Sequence, residues 1–598
     1  MGQSGVDAWS AAQSASLSGL DRWGDPYFSV NARGHVMVQP KGERGGSLDL
    51  VELVKGLRGR DLALPLLIRF DDILDDRLER LHAAFERAIA QYGSGGRSQG
   101  VFPVKCNQQR HVVEQLMETG RRWHFGLEAG SKAELLIALA LLDDPEALLI
   151  CNGYKDRRYI ETAILARRLG RQPVVVIEQA DEVERIIAAS QDLGAAPLIG
   201  VRAKLSARSV GRWGSSVGEG AKFGLSIPDL LTTVEALRQA GLLSDLRLLH
   251  FHIGSQINDI AVLKDALQEA GQLYVELNRL GAAMGFLDVG GGLGIDYDGS
   301  RTATTASTNY SLQNYANDVV ATVRECCEPK GVAVPTLVSE SGRAIASHFS
   351  VLVFDVLGCS HPPAAVSSAT GEEPLIVRNL RDTLALISAV ESCDPTRPAS
   401  CEPLQEAWND AIKFKEDALS AFRLGYLGLP ERGQAEALYW ACGLKIAQRL
   451  ADVPSETAIP EDLRGLQAAL ASTYYANLSV FRSAPDTWAI QQLFPVLPIH
   501  RLSERPDRLG RFADLTCDSD GKLARFIGPG EEQPHPVGLS GLEGMEFEKG
   551  FLGAGTDEAS QFSIRITGEI GKASQSIGPF PQTMDRHHGK ELLDGPGV

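Results

Sequence analysis

Nowhere is the chain apolar for long enough to cross a bilayer as a helix, which takes about 20 residues, so no membrane partner is expected. Cations are in short supply: 59 Lys and Arg face 76 Asp and Glu, for a net charge of -17. A nucleic-acid partner needs clustered cations against its phosphates, so none is expected. The acidic field favours instead the approach of a cationic small substrate. The nine cysteines, Cys106, Cys151, Cys326, Cys327, Cys359, Cys393, Cys401, Cys442 and Cys517, contain no CxxC pair. Zinc and thioredoxin-like readings therefore fail, and unpaired thiols in a large chain point to the reducing cytoplasm. The opening MGQSGVDAWSAAQSASLSG has neither the charged nor the apolar region of a secretory signal. Val6 stands where myristoylation needs Ser or Thr. The dinucleotide fingerprint GxGxxG is also missing, because Ile295 takes its last place in GGGLGI (290–295).

What is present is a long alternation. A chain of 598 residues exceeds one ordinary core and predicts roughly two to four domains. From about 65 to 345, apolar runs end at VFPVK (101–105), FGLEA (125–129), LLICNG (148–153), VVVIE (174–178), LIGVRAKL (198–205), LRLLHFHIG (246–254), FLDVGGG (286–292) and TLVSESGR (336–343). Amphipathic stretches such as Ser131–Leu142, Asp181–Leu193, Asp259–Leu280 and Ser311–Cys327 lie between them. Buried parallel strands read as continuous apolar runs. About eight of them, each followed by a helix, predict an α/β fold built on a closed (β/α)₈ TIM barrel, with an open doubly wound sheet as the rival. Further on, Ser350–Gly358 and Pro374–Val377 read as strands, Cys401–Ala471 as amphipathic helix, and the stretch after it as strand again. The expected division is 1–64 lending strands to a β-rich, sandwich-like domain, 65–345 the barrel, 346–400 and 476–533 the β-domain, and 401–475 a helical insertion. No regular structure is expected in the Gly-, Ser- and Pro-rich tail 534–598.

Barrels of this kind carry their chemistry at the C-terminal ends of the strands. The unusual residues collect there: Lys105, Glu128, Arg202, His252, Gly290–Gly292, Glu340 and Arg343. Each has an ordinary reading. Lys105 can be a snorkelling lysine, the glycines a tight turn, His252 a satisfied core histidine, and Glu340 with Arg343 an ion pair of little worth. LTCDSDG (515–521) has good turn chemistry. Each also has a chemical reading. Lys105 offers an amine to an aldehyde, while the glycine N–H groups, Ser255 and Arg343 suit a phosphate. His252 can face an aromatic ring and Glu340 can hold its protonated nitrogen. Cys517 can donate a proton and Asp518 can meet a cationic substrate end. One ligand unites these readings: pyridoxal 5'-phosphate.

The segments VFPVKCNQQ, GLEAGSKAEL, ICNGYKDRRYI, GVRAKL, AKFGL, LLHFHIGSQ, LDVGGGLGIDY, SESGRA, NLSVFRSAPDTW, QLFPVLP and LTCDSDG occur in that order. The ordered set resembles the biosynthetic arginine decarboxylase family, in the alanine-racemase-like and ornithine-decarboxylase-like class. The resemblance runs from GLDRWGDPYFSVNARGHV (19–36) to about residue 521, and ICNGYKD with the helical insertion is similar to the arginine-specific branch. It implies that Lys105 holds the cofactor as a Schiff base. Cofactor contacts are implied for Glu128, Arg202, His252, Ser255, Gly290, Gly291, Gly292, Glu340, Gly342 and Arg343. Substrate contacts are implied along Leu287, Asp288, Val289, Gly290–Gly292, Leu293, Gly294, Ile295, Asp296 and Tyr297, and at Asp518. The catalytic set it implies is Lys105, His252, Glu340 and Cys517, with Cys517 and Asp518 reaching a neighbour's site across a dimer interface. The implied reaction turns L-arginine into agmatine and CO₂, the first step of polyamine (putrescine, spermidine) biosynthesis. The resemblance also implies magnesium, for which no ligand set can be assigned, and a homodimer or higher assembly.

Two departures stand out. Gln491 occupies the place before QLFP where the family carries Asp, and nothing after about Pro534 matches the family, as if the C-terminus were frameshifted or replaced. Such a tail is expected to deprive the β-domain of sheet pairing and expose an edge. The competing readings are another basic amino-acid or diaminopimelate decarboxylase, a catalytically impaired homologue that binds partner subunits, and, more distantly, a nucleotide-binding oxidoreductase.

Overall fold

The computed structural model describes residues 9–528 apart from 207–219, 364, 369–371, 391–400, 451–458 and 507, and beyond them the segments 537–539, 548–551, 560–564, 566–567 and 574–575. Eight parallel strands close into a barrel: β1 (Ser98–Pro103), β2 (Gly126–Ala129), β3 (Leu148–Cys151), β4 (Gln172–Ile177), β5 (Leu198–Arg202), β6 (Leu246–His250), β7 (Phe286–Asp288) and β8 (Thr336–Glu340). Closure is made where β8 pairs with β1, Glu340 opposite Val101. The expected barrel therefore stands and the open sheet does not. Val101, Leu148, Ile150, Val174, Val176, Leu248 and Val338 fill the interior as one cluster of buried side chains. Branched residues at these positions pack the bore solidly, as this fold requires.

The helices are set by local chemistry. Ser131 accepts a hydrogen bond from the Glu134 N–H to cap Lys132–Leu141, and Asp156 and Asp259 do the same for Arg157–Arg168 and Ile260–Arg279. Such caps are each worth about 1 kcal/mol. One expectation needs correction: β8 is followed only by the short helix Arg343–Ala346. The helix that completes the outer ring comes from ahead of β1, where Asp71–Tyr92 packs against both Leu312–Cys327 and Arg110–Gly120.

The second domain is organised on the long strand β9 (Ser350–Ser360). It pairs antiparallel with Leu66–Phe70 and with β10 (Ser472–Ala476), which pairs in turn with Arg508–Ala513. Leu66–Phe70, expected in the barrel, thus belongs to this sheet; it is buried throughout, as a barrel strand would be, so its pattern could not tell the two apart. The N-terminal region does not lend its strands to the β-domain as expected. Phe28–Val30, Val36–Val38 and Leu48–Asp49 form their own three-stranded sheet, linked to the later chain by a hydrogen bond from the Val36 N–H to the Ile499 carbonyl.

Pro374–Val377, expected as a strand, opens the helix Leu375–Ala389, with Pro374 as its cap residue. That helix joins Glu402–Arg423 and Leu429–Leu450 around a core of Leu380, Leu404, Trp408, Leu438 and Ile446, so the insertion starts earlier than 401. NLSVFRS and PDTW, read as strand-like, are short helices at Val480–Ser483 and Pro485–Ile490. The expected loss of pairing after 534 is also overturned for the described segments. Glu548–Phe551 pairs with β9, Val537–Leu539 with Arg508–Ala513, and Ser560–Ile564 with Leu66–Phe70. Among the described residues no helix is long and apolar enough to cross a membrane.

Candidate active site

The C-terminal ends of the barrel strands open into a cavity of about 440 Å³. Lys105, Glu128, Arg202, His252, Ser255, Gly291, Gly292, Glu340, Gly342 and Arg343 all line it, although they come from six strand ends and their loops. Lys105 follows β1, where a short 3₁₀ turn ends the strand after Pro103. Its Nζ lies 2.8 Å from Glu128 Oε2. Glu128 Oε1 accepts from Asn152 Nδ2 at 3.2 Å, and the same amide donates to Glu340 Oε1 at 2.7 Å. The amine after β1 and the carboxylate ending β8 therefore belong to one continuous polar floor.

Burial alone would push the Lys105 amine down, but the Glu128 and Glu340 carboxylates outweigh it and hold it above the ordinary lysine range. Its side chain stays 58% exposed because the cavity is open. Burial, and then the neighbouring Glu340, push Glu128 up to about 7. Burial pushes Asp288 up to about 7 as well. Glu340 is raised by burial and by Asp288. His252 is held well below the usual imidazole value by burial and by Arg202, so it is a neutral ring at neutral pH.

The glycine turn and Arg343 line the same cavity. Gly290 has φ +70° and a Cβ there would stand 2.3 Å from the Phe251 carbonyl oxygen; Gly292 has φ +126°. These two are glycine for backbone reasons. Gly291 differs: a Cβ would meet the Glu340 carbonyl oxygen at 3.2 Å and His252 Cε1 at 3.5 Å. Its bare surface lies on the cavity between the histidine and the glutamate strand. Arg343 donates to Ser255 Oγ and to the Tyr297 hydroxyl, both at 3.0 Å. The ordinary reading of SESGR as an internal ion pair thus fails: Arg343 turns to Ser255, and Glu340 to Asn152.

Other expected residues sit further out. Of the run 287–297, Gly291, Gly292 and Leu293 line the cavity. Leu287 and Val289 are buried in packing. Asp288 Oδ1 accepts from the Gly290 N–H at 2.9 Å. The Gly294 N–H donates to the Tyr310 hydroxyl and the Ile295 N–H to Gln256, and Asp296 accepts from Ser307. Cys517 and Asp518 are exposed on the turn after Arg508–Ala513 and are not among the cavity's lining residues. Gln491 accepts a hydrogen bond from Arg525 at 2.8 Å.

Three participants escaped the sequence reading. Asn152 bridges the two glutamates; ICNG marked its strand end, but an asparagine before glycine reads as a turn residue. Glu178 pairs with Arg202 and accepts from the Gly153 N–H. It is held below the usual carboxylate range, because Arg202 and Lys155 outweigh the effect of burial. His250 stands beside Asp288 and Glu340. In HFH only the second histidine drew attention, since nothing in the sequence shows which one faces a carboxylate.

A family profile described as "Pyridoxal-dependent decarboxylase, pyridoxal binding domain" matches residues 76–347, and one described as "Arginine decarboxylase helical bundle domain" matches 370–466. The chain is 78% identical over 528 residues to a biosynthetic arginine decarboxylase of Synechococcus sp. (strain RCC307), covering 88% of this chain and 80% of that protein. The chain belongs to the biosynthetic arginine decarboxylase family. Within that family it is also 59% identical over 520 residues to the protein of Thermosynechococcus vestitus, covering 87% of this chain and 79% of the other. Among solved structures, the biosynthetic arginine decarboxylase from Campylobacter jejuni superposes with a TM-score of 0.77 at 30% identity, covering 92% of this chain and 88% of that one. A diaminopimelate decarboxylase from M. jannaschii, at 13% identity and a TM-score of 0.57, shares the fold.

The residues present fit pyridoxal phosphate. His252 is an uncharged ring that lines the cavity beside Gly291. Glycines leave room in front of it, and an arginine paired with a serine and a buried carboxylate line the same cavity. Magnesium is different. Among the described residues the single grouping with ligand-like spacing is His250, Asp288 and Glu340. All three are buried, whereas magnesium usually keeps several waters. These residues do not fit it.

Proposed function

We propose that this chain decarboxylates L-arginine to agmatine and CO₂ with pyridoxal 5'-phosphate held at Lys105. The observation that carries the reading is the polar floor joining Lys105, Glu128, Asn152 and Glu340 inside one cavity, with Arg343 and Ser255 at its glycine turn. Bound there, the cofactor would supply a cationic ring that accepts the electron pair left when a carboxylate departs as CO₂. The protein's own groups set the conditions. Glu128 takes the Lys105 proton, because its carboxyl, raised to about 7, is a proton acceptor at neutral pH and lies 2.8 Å from the amine. Glu340 favours the protonated form of the ring nitrogen, as an adjacent carboxylate does for any base. His252, uncharged, would face the ring, and Gly291 would leave room for its approach. Arg343, Ser255 and the glycine N–H groups would hold the phosphate.

Cys517 and Asp518 act in a second copy's cavity. Their exposure and their absence from this chain's cavity lining support that reading. Cys517 supplies a proton to the substrate carbon after CO₂ leaves, and Asp518 faces the substrate's guanidinium. The protein works as a cytoplasmic homodimer or larger assembly and feeds agmatine to polyamine synthesis.

The test is an absorbance spectrum of the purified protein with and without arginine, followed by assays for agmatine. Arginine, ornithine, lysine and diaminopimelate are offered in turn. A visible cofactor band that disappears in Lys105→Ala, with agmatine formed from arginine alone, is expected. A colourless wild-type protein, or a better product from another amino acid, would overturn the assignment.

A further inference from the structure

Beneath the proposed ring site lies a buried cluster whose charges do not balance if every carboxyl is ionised. Glu128 and Asp288 are 0% exposed, Glu340 is 5% and His250 1%. His250 Nδ1 stands 3.0 Å from Asp288 Oδ2 and 3.8 Å from Glu340 Oε1. Neither His250 Nδ1 nor Asp288 Oδ2 has a hydrogen-bond partner, although both are buried. Buried polar atoms are nearly always satisfied, and each exception calls for a physical reason. The two exceptions lie 3.0 Å apart without the alignment of a hydrogen bond, a distance a proton crosses once the ring or the carboxyl turns into line, and Glu340 is the other group within hydrogen-bonding reach of Asp288. The other oxygen of Asp288 is already taken by the Gly290 N–H, and the near oxygen of Glu340 by Asn152.

We propose that His250 and Asp288 share one proton between Nδ1 and Oδ2, and that this neutralised pair is a positioning device that keeps Glu340 ionised for the ring nitrogen. The inference rests on the reading of Glu340 given above. An unprotonated Asp288 beside Glu340 would force the two carboxylates to compete for a proton, and Glu340 would lose the charge that holds the ring cationic. The directions agree: burial and Asp288 raise Glu340, while His250 acts against that rise. The charged groups around His250 come from every neighbouring strand end: Glu340, Asp288, Arg202, Glu178 and Glu128. Arg202 pairs with Glu178 and offsets only part of the effect of burial on Asp288, and Lys105 pairs with Glu128.

The experiment is a double-variant cycle read by affinity of the apoprotein for pyridoxal 5'-phosphate, followed by quenching of tryptophan fluorescence, with no turnover involved. His250→Phe is expected to weaken binding about tenfold at pH 7, because Asp288 and Glu340 then share the proton. Asp288→Asn, which removes the competing charge, stays within about threefold of wild type, and His250→Phe with Asp288→Asn returns to that range. The deficit of His250→Phe shrinks between pH 7 and 9, as rising pH ionises both carboxyls. A purely structural histidine would leave the double variant as weak as His250→Phe, with no pH trend, and would overturn the proposal; so would unaltered binding by His250→Phe. Should circular dichroism show that His250→Phe does not fold, His250→Gln and His250→Gln with Asp288→Asn make the same comparison. A wild-type protein that binds no pyridoxal phosphate would overturn this proposal together with the functional reading. Tight wild-type binding without the cycle would overturn this proposal alone.

Discussion

At the scale of the residue, the site works by keeping protons in unequal places. Lys105 is held above its ordinary range while Glu128 beside it is raised to about 7, so the proton that must leave the amine has a nearby acceptor only above that pH. The rate at which Lys105 takes up added pyridoxal phosphate is therefore expected to climb as pH rises through about 7. Glu128→Gln should flatten that rise and slow uptake about tenfold or more, the usual scale of a lost general base. Stopped-flow absorbance checks this, and an unchanged profile would exclude Glu128 as the acceptor. Asp288 gives a stability prediction. Its folded value of about 7 exceeds its ordinary 3.8, so the folded protein binds the extra proton between those limits. A raised carboxyl carries no penalty below its unfolded value and the full penalty above its folded one. Asp288→Asn should therefore stabilise the apoprotein by up to about 4 kcal/mol at pH 8 and by little at pH 4. Urea midpoints at the two values decide it; equal gains would locate the effect in packing instead.

At the scale of the element, the turn after β7 shows two uses of glycine in three residues. Gly290 is required by its φ of +70° and the Phe251 carbonyl at 2.3 Å from a would-be Cβ. Gly291 has an ordinary φ and contacts a Cβ could nearly tolerate. Gly290→Ala is therefore expected to cost about 2 kcal/mol or more of stability, as strained backbone positions do. Gly291→Ala should fold with little loss yet bind pyridoxal phosphate about tenfold more weakly, because the methyl group occupies the ring's approach. Thermal unfolding and cofactor titration separate the two; a pattern in which both lose stability alike would refute the distinction. Other elements show where sequence patterns are ambiguous. The eight apolar runs, with lysine, glutamate, arginine and glycine at their ends, made the barrel mouth legible in advance, because a buried parallel strand needs such a run whatever its neighbours are. Leu66–Phe70 obeys the same rule and belongs elsewhere, since only hydrogen-bond register assigns a strand to a sheet. Pro374–Val377 and Val480–Ser483 were too short for their periodicity to separate helix from strand.

At the scale of the whole molecule, the exposed CDSDG turn stands apart from the residues that line the barrel cavity. If sites are shared between copies, a Lys105→Ala protein and a Cys517→Ala protein, each nearly inactive, should regain activity when mixed after mild dissociation. Random pairing makes half the dimers mixed with one intact site each, so about a quarter of wild-type activity should return. Mixtures that stay inactive while size-exclusion chromatography shows exchanged subunits would rule out the sharing. The strands at 537–539, 548–551 and 560–564 matter at the same scale, because they pair with the β-domain where an open edge was expected.

Local chemistry was enough to establish the barrel, the residues at its mouth and the ligand they suit, because burial, strand ends and donor types follow from residue order. It could not reveal that Asn152 bridges two glutamates, that Glu178 restrains Arg202, or that His250 rather than a solvent molecule stands beside Asp288. Those contacts join residues from different strands, and the distances between strands arise only when the sheet closes on itself.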